Sequence, residues 1–335
     1  MSARRRVFRR LASGLASGLF AAALVAAPAS AKDRIFELSD PRGDDHGDGT
    51  LRYPLRYYGL AAGDLDLTSF SARAISGGTE FEVAFANPVR ATGRRTIDIG
   101  GTNLDEVARF GFYTVNVDVY IDIDRKPGSG ATNTLPGRRA EIDPAFAWER
   151  AVALTPRPFD AKTTLKRILL RSLKDELRSK EGGLTRDQAD LIQTTLPGDL
   201  ESHILFPNRI KASGRTIKFF VPESFLGGVA SADWAYTVVV TGCDIDQRFD
   251  LGDKIPTRGS TDNLFILPVV PGGSEDKLGG GQEDDDLQPP IMDLVVPAGF
   301  TQERILRDYD LGKQRPVRLP GVVPANVFNQ SDSKR

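Results

Sequence analysis

The stretch that decides the fold is Val115-Asn116-Val117-Asp118-Val119-Tyr120-Ile121-Asp122-Ile123-Asp124. Every second residue is a valine or an isoleucine, and the residues between them are polar or aromatic. A period of two is that of a β-strand, in which successive side chains point to opposite faces. Three acids, Asp118, Asp122 and Asp124, share the polar face. This pattern predicts a face that is either open to water or occupied by a cation.

Further short stretches with the same alternation flank this strand, as in residues 81–85 and 234–241. Turns that contain glycine or proline separate them, for example Gly77-Gly78 and Asn87-Pro88. A series of short strands between such turns is typical of a β-sandwich. The predicted fold class is therefore all-β, an antiparallel β-sandwich.

Residues 160–197 follow a helical period instead. Leucine and isoleucine residues recur every three or four positions, and charged residues fill the other face. Gly182-Gly183 is predicted to end a first helix. Thr185 and Gln188 form a capping box for a second helix, which Pro197-Gly198 is predicted to end. The segment is expected to be a helical hairpin whose apolar face covers the sandwich.

The strands resume on both sides of this hairpin without a linker, which favours one domain over two. The predicted domain covers residues 32–312, with the hairpin inserted at 160–197. Residues 313–335 are rich in proline and polar residues and are predicted to form a flexible tail.

The first residues of the chain have the composition of an export signal. Five arginines precede the apolar run Leu11–Ala27, and Ala29-Ser30-Ala31 has the form of a cleavage site. A membrane anchor is the alternative, but the run is rich in small residues and is followed by that site. The sequence therefore predicts a signal peptide over residues 1–31, cleavage after Ala31, no membrane span in the mature chain, and a periplasmic or secreted location.

Charge and cysteine content exclude some classes of function. Removal of residues 1–31 leaves 39 basic and 45 acidic residues, a net charge of −6. Binding to nucleic acid depends on neutralising phosphates with lysine and arginine, so a nucleic-acid partner is not expected. The single cysteine, Cys243, cannot form an internal disulfide even in an oxidising compartment.

The stretch from Asp40 to Gly49 contains four aspartates and three glycines. Glycine permits left-handed turns, and crowded carboxylates repel one another unless a cation lies among them. A hard cation with oxygen ligands is one interpretation. A polar turn exposed to water is the other, because short acidic turns are common on protein surfaces.

Several segments, taken in order, resemble the C-terminal domain of glucodextranase and related modules of amylopullulanases, over about residues 38 to 312. The motifs that carry the resemblance are Asp40-Pro41-x-Gly43-Asp44-Asp45-x-Gly47-x-Gly49-Thr50-x-x-Tyr53-Pro54, Asp64-Leu65-Asp66-Leu67, Asn87-Pro88, Asp118-Val119-Tyr120-Ile121-Asp122-Ile123-Asp124, Leu135-Pro136-Gly137-Arg138-Arg139-Ala140, Val221-Pro222-Glu223-Ser224, Trp234-Ala235-Tyr236-Thr237-Val238-Val239-Val240-Thr241-Gly242 and Ile291-Met292-Asp293-Leu294-Val295-Val296-Pro297.

The resemblance implies an immunoglobulin-like or DOMON-like β-sandwich, similar also to the family 9 carbohydrate-binding modules, which contain calcium. It implies a non-catalytic role and a glucan or another envelope polysaccharide as partner. Two departures bear on the ligand. Val89 stands after Asn87-Pro88, where the family often has a tryptophan, and the hairpin at 160–197 is foreign to the family pattern.

For calcium, the candidate ligands are acids of two clusters, one in the stretch from Asp40 to Gly49 and one in the stretch from Val115 to Asp124. They are Asp44, Asp45, Asp122 and Asp124, followed by Asp40 and Asp118. The ion is expected to be structural and to hold the N-terminal loop against the end of a strand. A shared ion requires the two clusters to converge in space.

For sugar, the candidates are aromatic rings that stack on a pyranose: Tyr57, Tyr58 and Trp148. Trp234 alternates in phase with core residues and is expected to be packed inside. No enzyme is predicted, because the chain has two histidines and no Gly-x-Ser-x-Gly motif, although its acid pairs leave acid–base chemistry open. The alternative function is a periplasmic structural or protein-interaction protein that kept the sandwich but lost sugar binding, with an envelope protein as partner.

Overall fold

A computed structural model of the chain describes residues 34–56, 60–91, 98–99, 102–103, 108–181, 185–244, 264–273, 275–282 and 287–327. They belong to one compact unit that begins at Asp33. The predicted signal peptide, residues 1–31, lies outside the described residues and stays a prediction.

The described residues form short strands and a few helices. The strands are β1 (Arg34–Ser39), β2 (Leu67–Ile75), β3 (Gly78–Phe85), β4 (Asp98–Ile99), β5 (Thr102–Asn103), β6 (Val115–Asp122), β7 (Ala140–Ile142), β8 (Arg150–Leu154), β9 (Ile204–Leu205), β10 (Ile210–Ser213), β11 (Thr216–Pro222), β12 (Ala235–Gly242), β13 (Val269–Pro271), β14 (Leu278–Gly281), β15 (Ile291–Leu294) and β16 (Val317–Leu319). The helices are α1 (Pro158–Glu181), α2 (Arg186–His203), α3 (Glu223–Leu226) and α4 (Gln302–Leu306), and Pro144–Phe146 forms a 3₁₀ turn.

Two five-stranded sheets make up the body of the protein. The first has the order β1-β2-β3-β11-β10 and is antiparallel throughout. The second has the order β15-β12-β6-β8-β9 and is antiparallel except for the pair β8–β9. Small two-stranded sheets flank them; β7–β16 and β13–β14 are parallel, and β4–β5 is antiparallel. The all-β sandwich predicted from the alternating stretches is confirmed.

The two large sheets meet through an aromatic core. The ring of Tyr236, on β12 of the second sheet, lies 4.7 Å from Phe36, 5.8 Å from Phe70 and 6.4 Å from Phe81, which all belong to the first sheet. Each of these rings is almost wholly buried. Aromatic residues contribute strongly to such cores because each one buries a large apolar area. The inner face of β12 is therefore the one that carries Tyr236, Val238 and Val240.

The polar face of β6 is not open to water, as the alternation alone had left possible. All eight residues of β6 are buried. On the polar face, the segment that contains Leu135 and Arg138 lies against Asp118 and Tyr120. Arg138 binds Asp118 through two nitrogens, at 2.5 and 2.9 Å, and the backbone N–H of Leu135 donates to the hydroxyl of Tyr120. The counter-charge of Asp118 is thus a buried arginine.

The flexible tail predicted over residues 313–335 is wrong as far as residue 327. Strand β16 pairs with β7, and Val317 and Leu319 are fully buried. Further on, Val322 exchanges both backbone hydrogen bonds with Tyr236, each at 2.9 Å. The apolar residues in this segment find burial against the second sheet, and that burial outweighs the proline-rich composition.

The helical hairpin is confirmed as α1 and α2, and its capping box forms as predicted between Thr185 and Gln188. The second helix does not end at Pro197-Gly198 but continues to His203, because Leu200 in its last turns is buried against the body. Among the described side chains of α1, the buried ones lie in its first turns, as at Ala161 and Leu165. No helix among the described residues combines the length and the apolar character that crossing a membrane requires.

A candidate cation centre between the sheets

Four acids from separate parts of the chain approach one another at one edge of the sandwich. We call the stretch from Asp40 to Gly49 the acidic loop. Asp40 opens it directly after β1, and Asp44 lies within it. Asp66 precedes β2, and Asp293 lies within β15. One carboxylate oxygen each from Asp40, Asp44 and Asp293 lies within 4.8 Å of the other two. Asp66 is near enough for its charge to act on Asp44. We call these four residues the acidic centre.

Asp293 joins the two sheets at this point. It pairs in register with Val240 and therefore shares the inner face of the second sheet. Its carboxylate accepts a hydrogen bond from the backbone N–H of Leu67 in the first sheet, at 2.5 Å, and another from Leu294 at 2.7 Å. The residue is fully buried.

The acidic loop reaches Asp293 because a glycine lets it lie against β15. Gly47 has a φ of +58° and donates its N–H to the carbonyl of Met292 at 3.0 Å. A Cβ at this position would lie 2.5 Å from the carbonyl oxygen of Ile291. Only glycine combines this left-handed conformation with this close approach, so Gly47 fixes the path of the loop.

A buried glutamine holds the loop, β15 and α4 together. The amide nitrogen of Gln302 donates to the carbonyl oxygens of Asp44 at 2.5 Å, Met292 at 3.1 Å and Gly47 at 3.2 Å. Its side-chain oxygen accepts from the N–H of Leu294 at 2.7 Å. Asp44 and Asp293 are thereby positioned by one side chain from the first residue of α4.

Several carboxylate oxygens of the acidic centre have no partner within the described part of the chain. Both oxygens of Asp40 and one each of Asp44 and Asp66 are buried without a hydrogen bond of normal geometry among the described residues. The backbone N–H of Val296 and the carboxyl group of Asp293 are nevertheless close enough to Asp40 to lower its pKa in part. None of the four acids takes part in an ion pair within that part of the chain. Unpartnered buried oxygens are costly, and an ion that binds them removes that cost.

Burial and crowding change the protonation of the acidic centre. Burial, together with the Asp44 carboxylate, raises the pKa of Asp40 to about 8. Burial and the neighbouring Asp66 raise the pKa of Asp44 to about 6. Burial and the charge of Asp40 raise the pKa of Asp293. Without a cation, Asp40 therefore keeps its proton at neutral pH, whereas Asp44 loses its proton near pH 6.

This arrangement is chemically suited to a hard divalent cation. Calcium takes six to eight oxygen ligands, mostly carboxylates and carbonyls, and tolerates irregular geometry. The acidic centre offers only oxygen donors, with neither histidine nor cysteine among its four members. A cation bound there would displace protons, and would hold the N-terminal loop, the start of β2 and strand β15 at one point.

Of the acids proposed from the sequence, Asp40 and Asp44 belong to the acidic centre and Asp45 lies beside it. One oxygen of Asp45 accepts hydrogen bonds from the hydroxyl of Tyr53 and from the N–H of Gly63. Asp45 thus organises the loop around the centre.

The expectation that both acid clusters share one ion is wrong. Asp122 pairs in register with Ala235 and Asp293 with Val240, five positions apart on β12, which corresponds to about 17 Å. Asp122 and Asp124 do form a group with Glu149.

The acids of this second group already have donors. Asp122 binds Arg125 at 2.9 Å, Asp124 accepts from the hydroxyl of Ser129 at 2.8 Å, and Glu149 accepts from the N–H of Ile123 at 2.8 Å. Asp118, as described above, is neutralised by Arg138.

Sequence reasoning missed Asp66, Asp293 and Gln302 as members of the centre or its support. A signal for Asp293 was present, since it interrupts the apolar run from Ile291 to Val296. An acid inside a stretch that reads as a buried strand must find a partner or lose its charge. No comparable signal marks Gln302, because its role depends on where α4 packs.

Of the aromatic residues proposed for sugar stacking, one is buried and two lie outside the described residues. Trp148 is 5% exposed, its indole nitrogen donates to the carbonyl of Asn133 at 2.9 Å, and its ring lies 5.7 Å from that of Tyr120. It is a core residue. Tyr57 and Tyr58 lie outside the described residues. Trp234 is half-buried and packs against the core.

Fold and site together define a two-sheet β-sandwich protein with a candidate cation centre between its sheets. The chain matches, over residues 35–321, the family model described as the C-terminal binding module, SLH-like, of glucodextranase. The chain belongs to this family, as the motifs of the sequence indicated. A search of curated proteins found no match.

Proposed function

We propose that the chain is an exported, non-catalytic module that binds a glucan or another envelope polysaccharide and is stabilised by one calcium ion. Membership of a family of binding modules supports the role in binding. The observation that carries the calcium proposal is the set of buried, unpartnered carboxylate oxygens on Asp40, Asp44 and Asp66. The ligands are then these three acids and Asp293, completed by backbone carbonyls.

The role of the ion is structural. Asp40 and Asp66 lie next to strands of the first sheet, whereas Asp293 belongs to the second. A cation between them ties the sheets together at this edge and converts a repulsive cluster into an attractive one. No chemical step is assigned to it.

Thermal unfolding of the mature protein tests the calcium site. A calcium concentration 100 times the dissociation constant is expected to add about 2.7 kcal/mol to the free energy of unfolding, relative to protein in excess chelator. Asp124→Asn, in the second acid group, serves as the matched control and keeps the full response to calcium. A melting temperature that exhaustive chelation leaves unchanged contradicts the proposal.

Affinity electrophoresis tests the binding of polysaccharide. The native protein is expected to migrate more slowly in gels that contain one of dextran, soluble starch or xylan than in gels without polysaccharide. Unchanged migration in all of them contradicts sugar binding and favours the alternative of an envelope protein that interacts with other proteins.

Export is tested by sequencing the N-terminus of the protein from a bacterial host that secretes it. Cleavage after Ala31 makes Lys32 the first residue of the mature chain. Recovery of the chain with residues 1–31 still attached contradicts this part of the proposal.

A further inference from the structure

A groove of about 1120 Å³ runs along α4, and none of the four acids of the acidic centre lines it. One wall consists of the loop after β15 and of α4 itself, with Phe300 and Arg304. The other wall includes the 3₁₀ turn at Phe146 and the segment around β16, with Arg318 and Asn326. Neither the acidic centre nor the residues proposed from the sequence for sugar binding line this groove.

Aromatic rings line both walls of the groove. Phe300 is 52% exposed, so its ring is accessible to a ligand. Phe146, on the opposite wall, is half-buried, and the guanidinium carbon of Arg125 lies 5.3 Å from its ring centre. Phe300 is therefore the more accessible apolar surface in the groove.

The polar groups of the groove include both donors and acceptors of hydrogen bonds. Arg304 forms no ion pair within the described part of the chain, and the nearest carboxylate to Arg318, that of Glu141, is 3.9 Å away. Asp143 uses one oxygen to accept from the N–H of Ala145, so its other oxygen remains for a ligand.

This mixture of groups distinguishes between ligand classes. A site for an anion has an excess of basic groups, whereas this groove has acids and arginines in similar numbers. Hydroxyl groups both donate and accept, so adjacent hydroxyls can bind an arginine and an aspartate at once. A pyranose adds an apolar C–H face that stacks on an exposed aromatic ring.

We propose that this groove is the binding site for a neutral oligosaccharide segment, with Phe300 as the stacking surface and Arg304 and Asp143 as partners of its hydroxyl groups. The inference rests on the proposed function, since it assigns a place to polysaccharide binding. Unlike the proposed function, it names a particular binding surface. Phe300 and Arg304 are both exposed, so each can be replaced without changing the sandwich.

Affinity electrophoresis with Phe300→Ala and Arg304→Ala tests the assignment, in gels with dextran, soluble starch, xylan or the acidic polymer polygalacturonate. Each variant is expected to bind the retarding neutral polymer about tenfold more weakly, as truncation of a central contact does at other interfaces. The matched control is Phe159→Ala, which removes a phenylalanine that is 58% exposed on α1, outside the groove. Melting temperatures equal to that of the wild-type protein establish that the variants are folded.

The possible outcomes separate the two proposals. Weaker binding by both groove variants, with unchanged binding by Phe159→Ala, supports the groove. Wild-type affinity in both groove variants overturns the groove but leaves polysaccharide binding intact. Retardation by polygalacturonate alone overturns the neutral ligand. A wild-type protein that no polymer retards overturns the proposed function, and the groove assignment with it.

Discussion

The acidic centre and the acids of β6 look alike in the sequence but have opposite electrostatic environments. Asp118 is buried against Arg138, which supplies two hydrogen bonds and a full counter-charge. Asp40 and Asp44 are crowded by other acids and have no basic partner among the described residues. The chain neutralises one buried cluster with its own arginine and leaves the other to protons or to an external cation.

This contrast teaches that acid spacing alone does not identify a metal site. The Asp-x-Asp pattern at the end of β6 was the more regular signal, yet its members bind Arg125, Lys126 and Ser129. What distinguishes the acidic centre is that several buried oxygens of Asp40, Asp44 and Asp66 have no hydrogen-bond donor among the described residues. That property depends on tertiary packing.

The largest effect is expected when the buried ion pair between Asp118 and Arg138 is broken. Arg138→Met leaves the Asp118 carboxylate buried without its partner and should lower the free energy of unfolding by about 3–5 kcal/mol. Urea denaturation measures this. The double variant Asp118→Leu with Arg138→Met should recover much of the loss, because it removes both charges. A loss below about 1 kcal/mol in the single variant would mean that Asp118 is not neutralised by Arg138.

A second test uses pH on the metal-free protein. The pKa values of Asp40 (about 8) and Asp44 (about 6) lie above the ordinary value of 3.8, so the folded state holds protons that the unfolded state releases. The contribution to stability is thus full below about pH 4 and is lost as the pH rises through 6 and then 8. In chelator, the melting temperature should fall by several degrees over this range. In saturating calcium the decline should disappear; an equal decline with and without calcium would count against the centre.

A smaller effect, with a change of sign, is expected for Asp44→Asn. In calcium the variant loses a charged ligand and should be less stable than the wild-type protein. In chelator it relieves repulsion and should be more stable, by about 1 kcal/mol. Calorimetry in the two buffers gives both values. Destabilisation by the same amount in both buffers would show that Asp44 has only a packing role.

The smallest effect is expected in the second acid group. Asp124 is exposed, and hydrogen bonds from Lys126 and Ser129 hold its pKa below the usual range. Asp124→Asn should leave both the stability in chelator and the response to calcium unchanged. If the response to calcium were lost instead, the ion would bind at the tip of β6, and the roles of the two clusters would have to be exchanged.

The sequence allowed the sandwich and the hairpin to be predicted, because both depend on local periodicity and on caps such as Thr185 with Gln188. Three features required the fold. The burial of the polar face of β6 depends on a later segment that supplies Arg138. The ordered residues after 313 depend on pairing with β7 and Tyr236. The acidic centre depends on Asp293, which is more than 240 positions from Asp44 in the chain.

Gln302 has a consequence for how the two sides of α4 communicate. Its amide is fixed by the carbonyls of Asp44, Gly47 and Met292, while Phe300 and Arg304, two positions away on either side, line the groove. An ion that orders the loop would also order the helix start, so ion and sugar would favour the same conformation. Thermodynamic reciprocity then requires each to strengthen the binding of the other by the same factor. If both proposals hold, the calcium content of the surroundings sets how firmly the chain binds its polysaccharide.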